Sequence, residues 1–196
     1  MTRSSAIAAG FLALVFCGVQ AAAQTTPAWT TLFDGRSLDA FNTVGMANWK
    51  IVDGAVQADG GMGGYLVTKQ PYGDFEIKAE FWVDEKANSG IFIRCANPQM
   101  LGADTCYEVN IFDTRPDPTY ATGAIVDVAK PTTAMKAGGK WNTYEIRAEG
   151  PRMIVTLNGT RTVDVQDTKH ARGVIGLQYG AGIVKFRNVQ IRALGR

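Results

Sequence analysis

Histidine is almost missing from this 196-residue chain, with His170 the single example. A zinc hydrolase or a nucleophilic triad needs histidine as ligand or base, so both routes are nearly closed. Cysteine is scarce too: three residues, none in the CxxC spacing of a zinc or redox site. There is no excess of either charge. Twenty Lys and Arg stand scattered among 18 Asp and Glu, a net +2, and a phosphate backbone would need a clustered basic excess. Nucleic acid is excluded as a partner on that ground. Also missing are GxSxG, HExxH and a glycine-rich phosphate loop opening a helix. No apolar run reaches the roughly 20 residues that cross a bilayer, so no membrane span is expected.

The longest apolar run, Ile7 to Val19, is preceded by Arg3 and followed by Ala21-Ala22-Ala23. That order of charge, short apolar core and small-residue site is a secretory signal peptide. Residues 1–23 are therefore expected to be removed and 24–196 to form one domain, exported to a bacterial periplasm or secreted. Cys17 lies inside the apolar run behind Phe16, where a lipoprotein site would have a small residue. Simple export is the reading. It places Cys95 and Cys106 where thiols oxidise, and the pair is expected to form a disulfide. Closing a loop of about 12 residues stabilises by about 3 kcal/mol on the chain-entropy model. Metal ligation is the rival, with only His170 to help.

What the chain has in abundance is glycine, 22 residues, and period-two alternation. Few windows could hold an uninterrupted amphipathic helix. Phe75-Glu76-Ile77-Lys78-Ala79-Glu80-Phe81 and Tyr144-Glu145-Ile146-Arg147-Ala148-Glu149 read as half-buried strands. Asn158-Gly159 and Asp53-Gly54 between apolar alternating segments are two-residue hairpin signals, because these residues tolerate positive φ. Further strands are expected at 89–94, 107–112, 123–128, 173–178 and 184–193. About a dozen strands predict an all-β fold of two packed sheets. Residues 113–120 and 129–140, with their prolines and glycines, read as long loops. The four tryptophans, Trp29, Trp49, Trp82 and Trp141, are expected to pack in the core.

With histidine chemistry nearly excluded, acid–base work falls to carboxylates and their neighbours. Alternation in Ser89–Arg94 and Tyr107–Asp113 points Phe92 and Arg94 outward together with Glu108, Asn110 and Phe112. An aromatic, an amide, a carboxylate and an arginine on one face suit a sugar, and equally suit a solvated sheet with a weak ion pair. Strict alternation also puts Cys95 and Cys106 on opposite faces, so a bulge or loop is required between them. Asp34, Asp113 and Asp127 are candidate calcium ligands, without a DxDxDG loop. His170, in the polar stretch Asp167 to Arg172, is expected to be a solvated loop residue.

The order of several blocks resembles the 3-keto-disaccharide hydrolase domain, long catalogued as a domain of unknown function. They are Trp29 to Leu38, Ser89 to Arg94, Tyr107 to Asp113, Thr122 to Ile125, Trp141 to Ile146, Leu157-Asn158-Gly159, Gly176-Leu177-Gln178 and Phe186 to Val189. The resemblance implies a concanavalin A-like jelly-roll β-sandwich of two antiparallel sheets. It implies an enzyme cleaving 3-keto disaccharides or glycosides by elimination and hydration or net hydrolysis. Its partner is then a small carbohydrate and no cofactor is implied, a divalent cation being the one alternative. Carried over, Glu108 is the base or substrate anchor, Arg94 the enolate donor, and Asp113 a second acid or metal ligand. Asn110, Phe92, Gln178 and Tyr179 would contact the sugar. Asn110 stands where the family more often has glutamine. Tyr179-Gly180-Ala181 replaces the aspartate-histidine-glycine of many members, and Val126 replaces a tyrosine. The alternatives are a non-catalytic carbohydrate-binding module and a cell-surface interaction domain. Oligomeric state is not legible.

Overall fold

In the computed structural model, which describes Met1 and residues 27–195, sequence alternation becomes burial. Residues 2–23 of the expected signal peptide, Cys17 included, lie outside the described residues. Thirteen strands are formed: β1 (Thr30–Phe33), β2 (Phe41–Gly45), β3 (Lys50–Val52), β4 (Ala55–Ala58), β5 (Gly64–Thr68), β6 (Phe75–Val83), β7 (Asn88–Cys95), β8 (Tyr107–Ile111), β9 (Trp141–Glu149), β10 (Arg152–Leu157), β11 (Thr160–Gln166), β12 (Val174–Ala181) and β13 (Val184–Ala193). Strand β6 shows the rule: Phe75, Ile77, Ala79, Phe81 and Val83 are buried while Glu76, Lys78, Glu80 and Trp82 face out. Among the described residues no helix is long and apolar enough to cross a membrane.

The strands make two antiparallel sheets. One runs β11-β10-β9-β6-β13-β4-β3, with β1 also on β13; the other runs β2-β5-β12-β7-β8. Strand β13 can serve both β4 and β1 along one edge because a bulge at Asn188, φ 49°, offsets its two halves. Between the sheets lies one core in which Phe81 stacks on Tyr144 at 4.9 Å and Ile91, Val109, Leu177 and Phe186 are fully buried. Each such side chain contributes about 1.5–3 kcal/mol by leaving water. The 123–128 segment is not a regular strand. Gly123 and Asp127 both have positive φ, which coils it into turns, yet Ile125 still bridges Val109 along the edge of β8.

The tryptophans depart from the expectation. Only Trp49 packs against the core, edge-on to Tyr179, whereas Trp29, Trp82 and Trp141 stand on the outer side of the eight-stranded sheet. They sit at outward positions of the alternation, which sequence hydrophobicity alone does not distinguish from inward ones.

Strand β7 carries the irregularity that the cysteines required. Phe92 faces Gly176 and Cys95 faces Val174, so three steps on β7 oppose two on β12. The bulge is taken up at Arg94, φ 55°. It turns Cys95 to the same side as Phe92 and Cys106, where the disulfide forms with Cα atoms 4.4 Å apart. A disulfide of this kind fits an oxidising compartment.

The same bulge swings Arg94 to the other side of the sheet, so it does not join the Glu108 face. Its guanidinium is 1% exposed. It donates to the carbonyls of Gly73 (3.0 Å), Gly150 (2.8 Å) and His170 (3.3 Å) and pairs with Asp74 at 3.2 Å. Three loops at one end of the sandwich meet on this one side chain. His170 is drawn into the cluster and is not a freely solvated residue: its ring lies edge-on to Tyr107 at 5.0 Å and its Nε2 is buried without a partner. Arg94→Ala would leave three carbonyls without their donor, and the expected loss is roughly 3–5 kcal/mol, the range for breaking a buried charge network. Urea denaturation measures it; a loss under about 1 kcal/mol would contradict the role assigned to Arg94.

Candidate functional site

Register across the five-stranded sheet fixes which side chains share its outer face. One row is Val44, Tyr65, Gln178, Gly90 and Asn110; the next is Asn42, Val67, Gly176, Phe92 and Glu108. Two glycines lie in these rows, and each makes room for a neighbour. At Gly90 a Cβ would stand 3.4 Å from Cγ and Oε1 of Glu108, so the carboxyl leans over β7 towards the middle of the sheet. At Gly176 a Cβ would fall 2.2 Å from Leu101, whose side chain lodges in that notch.

Leu101 belongs to the loop closed by the disulfide. It packs with Val67, Phe92, Val174 and both cysteines into a second, smaller apolar cluster outside the sheet. Tyr65 stands edge-on to Phe92 at 5.3 Å and donates its hydroxyl to the Leu101 carbonyl at 3.2 Å. Phe92 is therefore sealed at 1% exposure and offers no open stacking surface. Gln178 reaches Tyr65 Oη with its amide nitrogen at 3.4 Å, while its Oε1 is buried without a partner. An unpaired buried acceptor is uncommon and marks where a donor could be received.

On the far side the site is walled by the chain after β8. The N–H of Val126 donates to the Glu108 carbonyl and that of Asn110 to the Ala124 carbonyl, each at 3.0 Å. The turn beyond brings Asp127 near Glu108. Arg115, stacked 5.8 Å over Tyr120, is the cation that acts on Glu108. Burial pushes the Glu108 carboxyl up to about 7; Arg115 pulls it down and Asp127 adds to the rise. No hydrogen bond within the described residues occupies that carboxyl.

The other expected residues are placed differently. Asp113 is consumed by the fold: Ala137 and Gly138 donate backbone N–H groups at 2.9 and 2.8 Å, and Thr122 its hydroxyl at 2.6 Å. It anchors the 129–140 loop and does not reach the Glu108 face. Asn110 lies on that face but is fully buried, its amide bound to the Tyr120 carbonyl. Tyr179 points into the core, 5% exposed, because alternation puts it opposite Gln178. Of the expected set, Glu108, Phe92, Gln178 and Asn110 share the face, and Arg94, Asp113 and Tyr179 do not. Sequence reasoning missed Tyr65 and Arg115. The first sits in a glycine-flanked segment not read as a strand, and the second in a proline-containing loop with no local signal. Among the described residues no group of three or more His, Cys, Asp and Glu converges to hold a metal ion.

Two antiparallel sheets closed over one core, with a half-buried carboxyl on the outside of the smaller sheet, define a jelly-roll sandwich of the lectin and galectin kind. Within it the chain belongs to the 3-keto-alpha-glucoside-1,2-lyase-like domain family, whose model matches residues 28–192. A candidate glycosyl hydrolase from Parabacteroides distasonis is 25% identical, with 85% of this chain and 100% of that one covered, at a TM-score of 0.72. A second from the same organism is 20% identical, covering 85% and 94%, at 0.75. The carbohydrate binding module CBM66 from Bacillus subtilis shares the fold at 0.61, with 17% identity over 84% and 95%. No match was found among proteins with curated descriptions.

A raised carboxyl pKa has a thermodynamic signature. Between 4.5 and about 7 the folded chain holds a proton on Glu108 that the unfolded chain has lost, so stability falls as pH rises through that window. Glu108→Gln has no such loss. The variant is expected to gain stability relative to the parent as pH goes from 4.5 past 7, read from urea midpoints. Parallel curves would show an ordinary glutamate.

Proposed function

We propose that the protein acts after export on glycosides whose ring carries a ketone at carbon 3, with Glu108 as the base. The observation that carries this reading is a lone carboxyl, poised near neutral pH on an outer sheet face and unclaimed by any hydrogen bond of the fold. A ketone at carbon 3 acidifies the hydrogen at carbon 2. Glu108 takes that proton and the C–H electron pair passes into the enolate. Collapse of the enolate forms the double bond between carbons 1 and 2, and the glycosidic oxygen leaves carbon 1 with its electron pair, picking up a proton. Addition of water across the double bond completes a net hydrolysis. A base with a pKa near the working pH is the efficient choice for the first step.

Arg115 replaces Arg94 as the cation of the site. Its charge already acts on Glu108, and it would stabilise the enolate oxygen as charge develops there. Gln178 Oε1 supplies the acceptor for a sugar hydroxyl, with Tyr65 holding the amide in place. Neither Arg94 nor Asp113 takes part; they hold loops. The family description, a lyase acting between carbons 1 and 2, supports elimination as the chemistry. The unpartnered Gln178 acceptor also favours a second reading, a carbohydrate-binding module without turnover.

Incubation of the protein with a 3-keto disaccharide tests the two. Turnover is expected, rising with pH through about 7 as Glu108 ionises. Glu108→Gln should lower kcat by about 10²–10⁴-fold, the usual worth of a general base, while substrate binding survives. Deuterium exchange at carbon 2 in heavy water reports the proton step separately. Binding without turnover in both proteins would select the binding-module reading, and neither binding nor turnover would reject both.

A further inference from the structure

We propose that the outer face of the eight-stranded sheet is a second carbohydrate-binding surface, for a neutral polysaccharide chain, independent of the Glu108 site on the opposite side of the sandwich. Three of the four tryptophans are on this face, where the fold needs only polar side chains. Trp29 is 40% and Trp141 37% exposed. Trp82 lies directly opposite Trp141 across β6 and β9. Six residues back along β6, Glu76 lies opposite Arg192, whose guanidinium stands 4.8 Å over the Trp29 ring. Aromatic surfaces thus occupy both ends of the outer face of β6, about 20 Å apart at ~3.4 Å per strand residue. That length suits several pyranose rings in a row.

Between the two ends, beside Trp29, lies a groove of about 500 Å³ whose walls include Lys78, Glu145, Thr156 and Gln190. Its charges are cancelled in fixed pairs. Lys78 meets Glu145 at 2.8 Å, and Arg192 and Arg147 share Glu76, with Arg147 also meeting Glu149 at 2.7 Å. Further along, Glu80 takes Arg187 at 2.7 Å. The groove therefore presents many donors and acceptors with little net field, which complements hydroxyl groups more than an anionic polymer. Each indole also has a cation over one face of its ring: Arg192 at Trp29, Lys185 at 5.1 Å from Trp82, and Arg187 at 3.9 Å from Trp141. Orientation is set before a ligand arrives, which lowers the ordering cost of binding.

Native affinity electrophoresis in gels containing barley β-glucan, xylan or dextran, with polygalacturonate as the anionic control, tests this surface. Retardation in at least one neutral gel is expected, weakened at least tenfold in a Trp29→Ala/Trp141→Ala variant and unchanged in Glu108→Gln. Both tryptophans are exposed, so the variant should keep its melting temperature. If it does not fold, Lys78→Ala/Glu145→Ala takes its place in the same gels, and quenching of tryptophan fluorescence in the parent by the same polysaccharides gives a second readout. The proposal is overturned by no retardation in any neutral gel, by retardation only in polygalacturonate, by retardation that survives the groove variants, or by its loss in Glu108→Gln. A parent that sediments as a dimer until Trp29 and Trp141 are replaced would also overturn it. Because Glu108→Gln removes turnover and leaves this binding intact, the two proposals fail separately.

Discussion

Arginine in the left-handed region costs on the order of 1 kcal/mol, and at Arg94 the surrounding structure supplies the compensation. Three carbonyls and Asp74 receive its guanidinium, so the bulge is held from one side by loops far apart in sequence. On the other side the reversal of alternation delivers Cys95 to Cys106. The disulfide then fixes the loop that carries Leu101, and Leu101 in its notch at Gly176 builds the apolar wall against which Tyr65 and Gln178 are set. A single extra residue in β7 thus links the packing at one end of the sandwich to the shape of its outer face.

Two acidic residues five positions apart show how the same fold assigns opposite roles. Asp113 enters a nest of backbone N–H groups that tie it to the 129–140 loop. Glu108, half-buried beside Gly90 with an arginine and an aspartate at the distance of charge effects, keeps its proton to near neutrality. Burial of a carboxyl that accepts no hydrogen bond favours the neutral acid. This contrast, together with the family's lyase description, is what supports proton abstraction as the proposed chemistry.

The two outer faces of the sandwich differ in kind. The five-stranded side is partly roofed, by the disulfide-closed loop and by the chain after β8, and concentrates a few polar atoms around one carboxyl. The eight-stranded side is open and laddered with paired charges between tryptophans. The proposed reaction with a small oxidised sugar and the proposed hold on a long neutral chain place different demands on a protein, and the sandwich offers a separate face to each.

Alternation and glycine placement by themselves determined the all-β class, both hairpins, most strand positions and the outward sense of Glu108, Phe92 and Asn110, because period-two geometry is local; Gln178 entered with Tyr179 through the family resemblance, and only the structure separated their faces. Two cysteines remaining in a chain read as exported sufficed for expecting the disulfide, and alternation for requiring a bulge or loop between them. The location of that bulge was not legible: residue types permit it at several places, and only the pairing of β7 with β12 and the pull of three distant loops put it at Arg94. For the same reason Arg94 and Asp113, read as site residues, turned out to hold loops. Arg115 and Tyr65 emerged only from tertiary contact, since a loop arginine and a tyrosine carry no periodicity that points to a partner. Whether a tryptophan lies in the core or on the outside was likewise decided by the sheet's register, because hydrophobicity is a property of the residue while its face belongs to the fold.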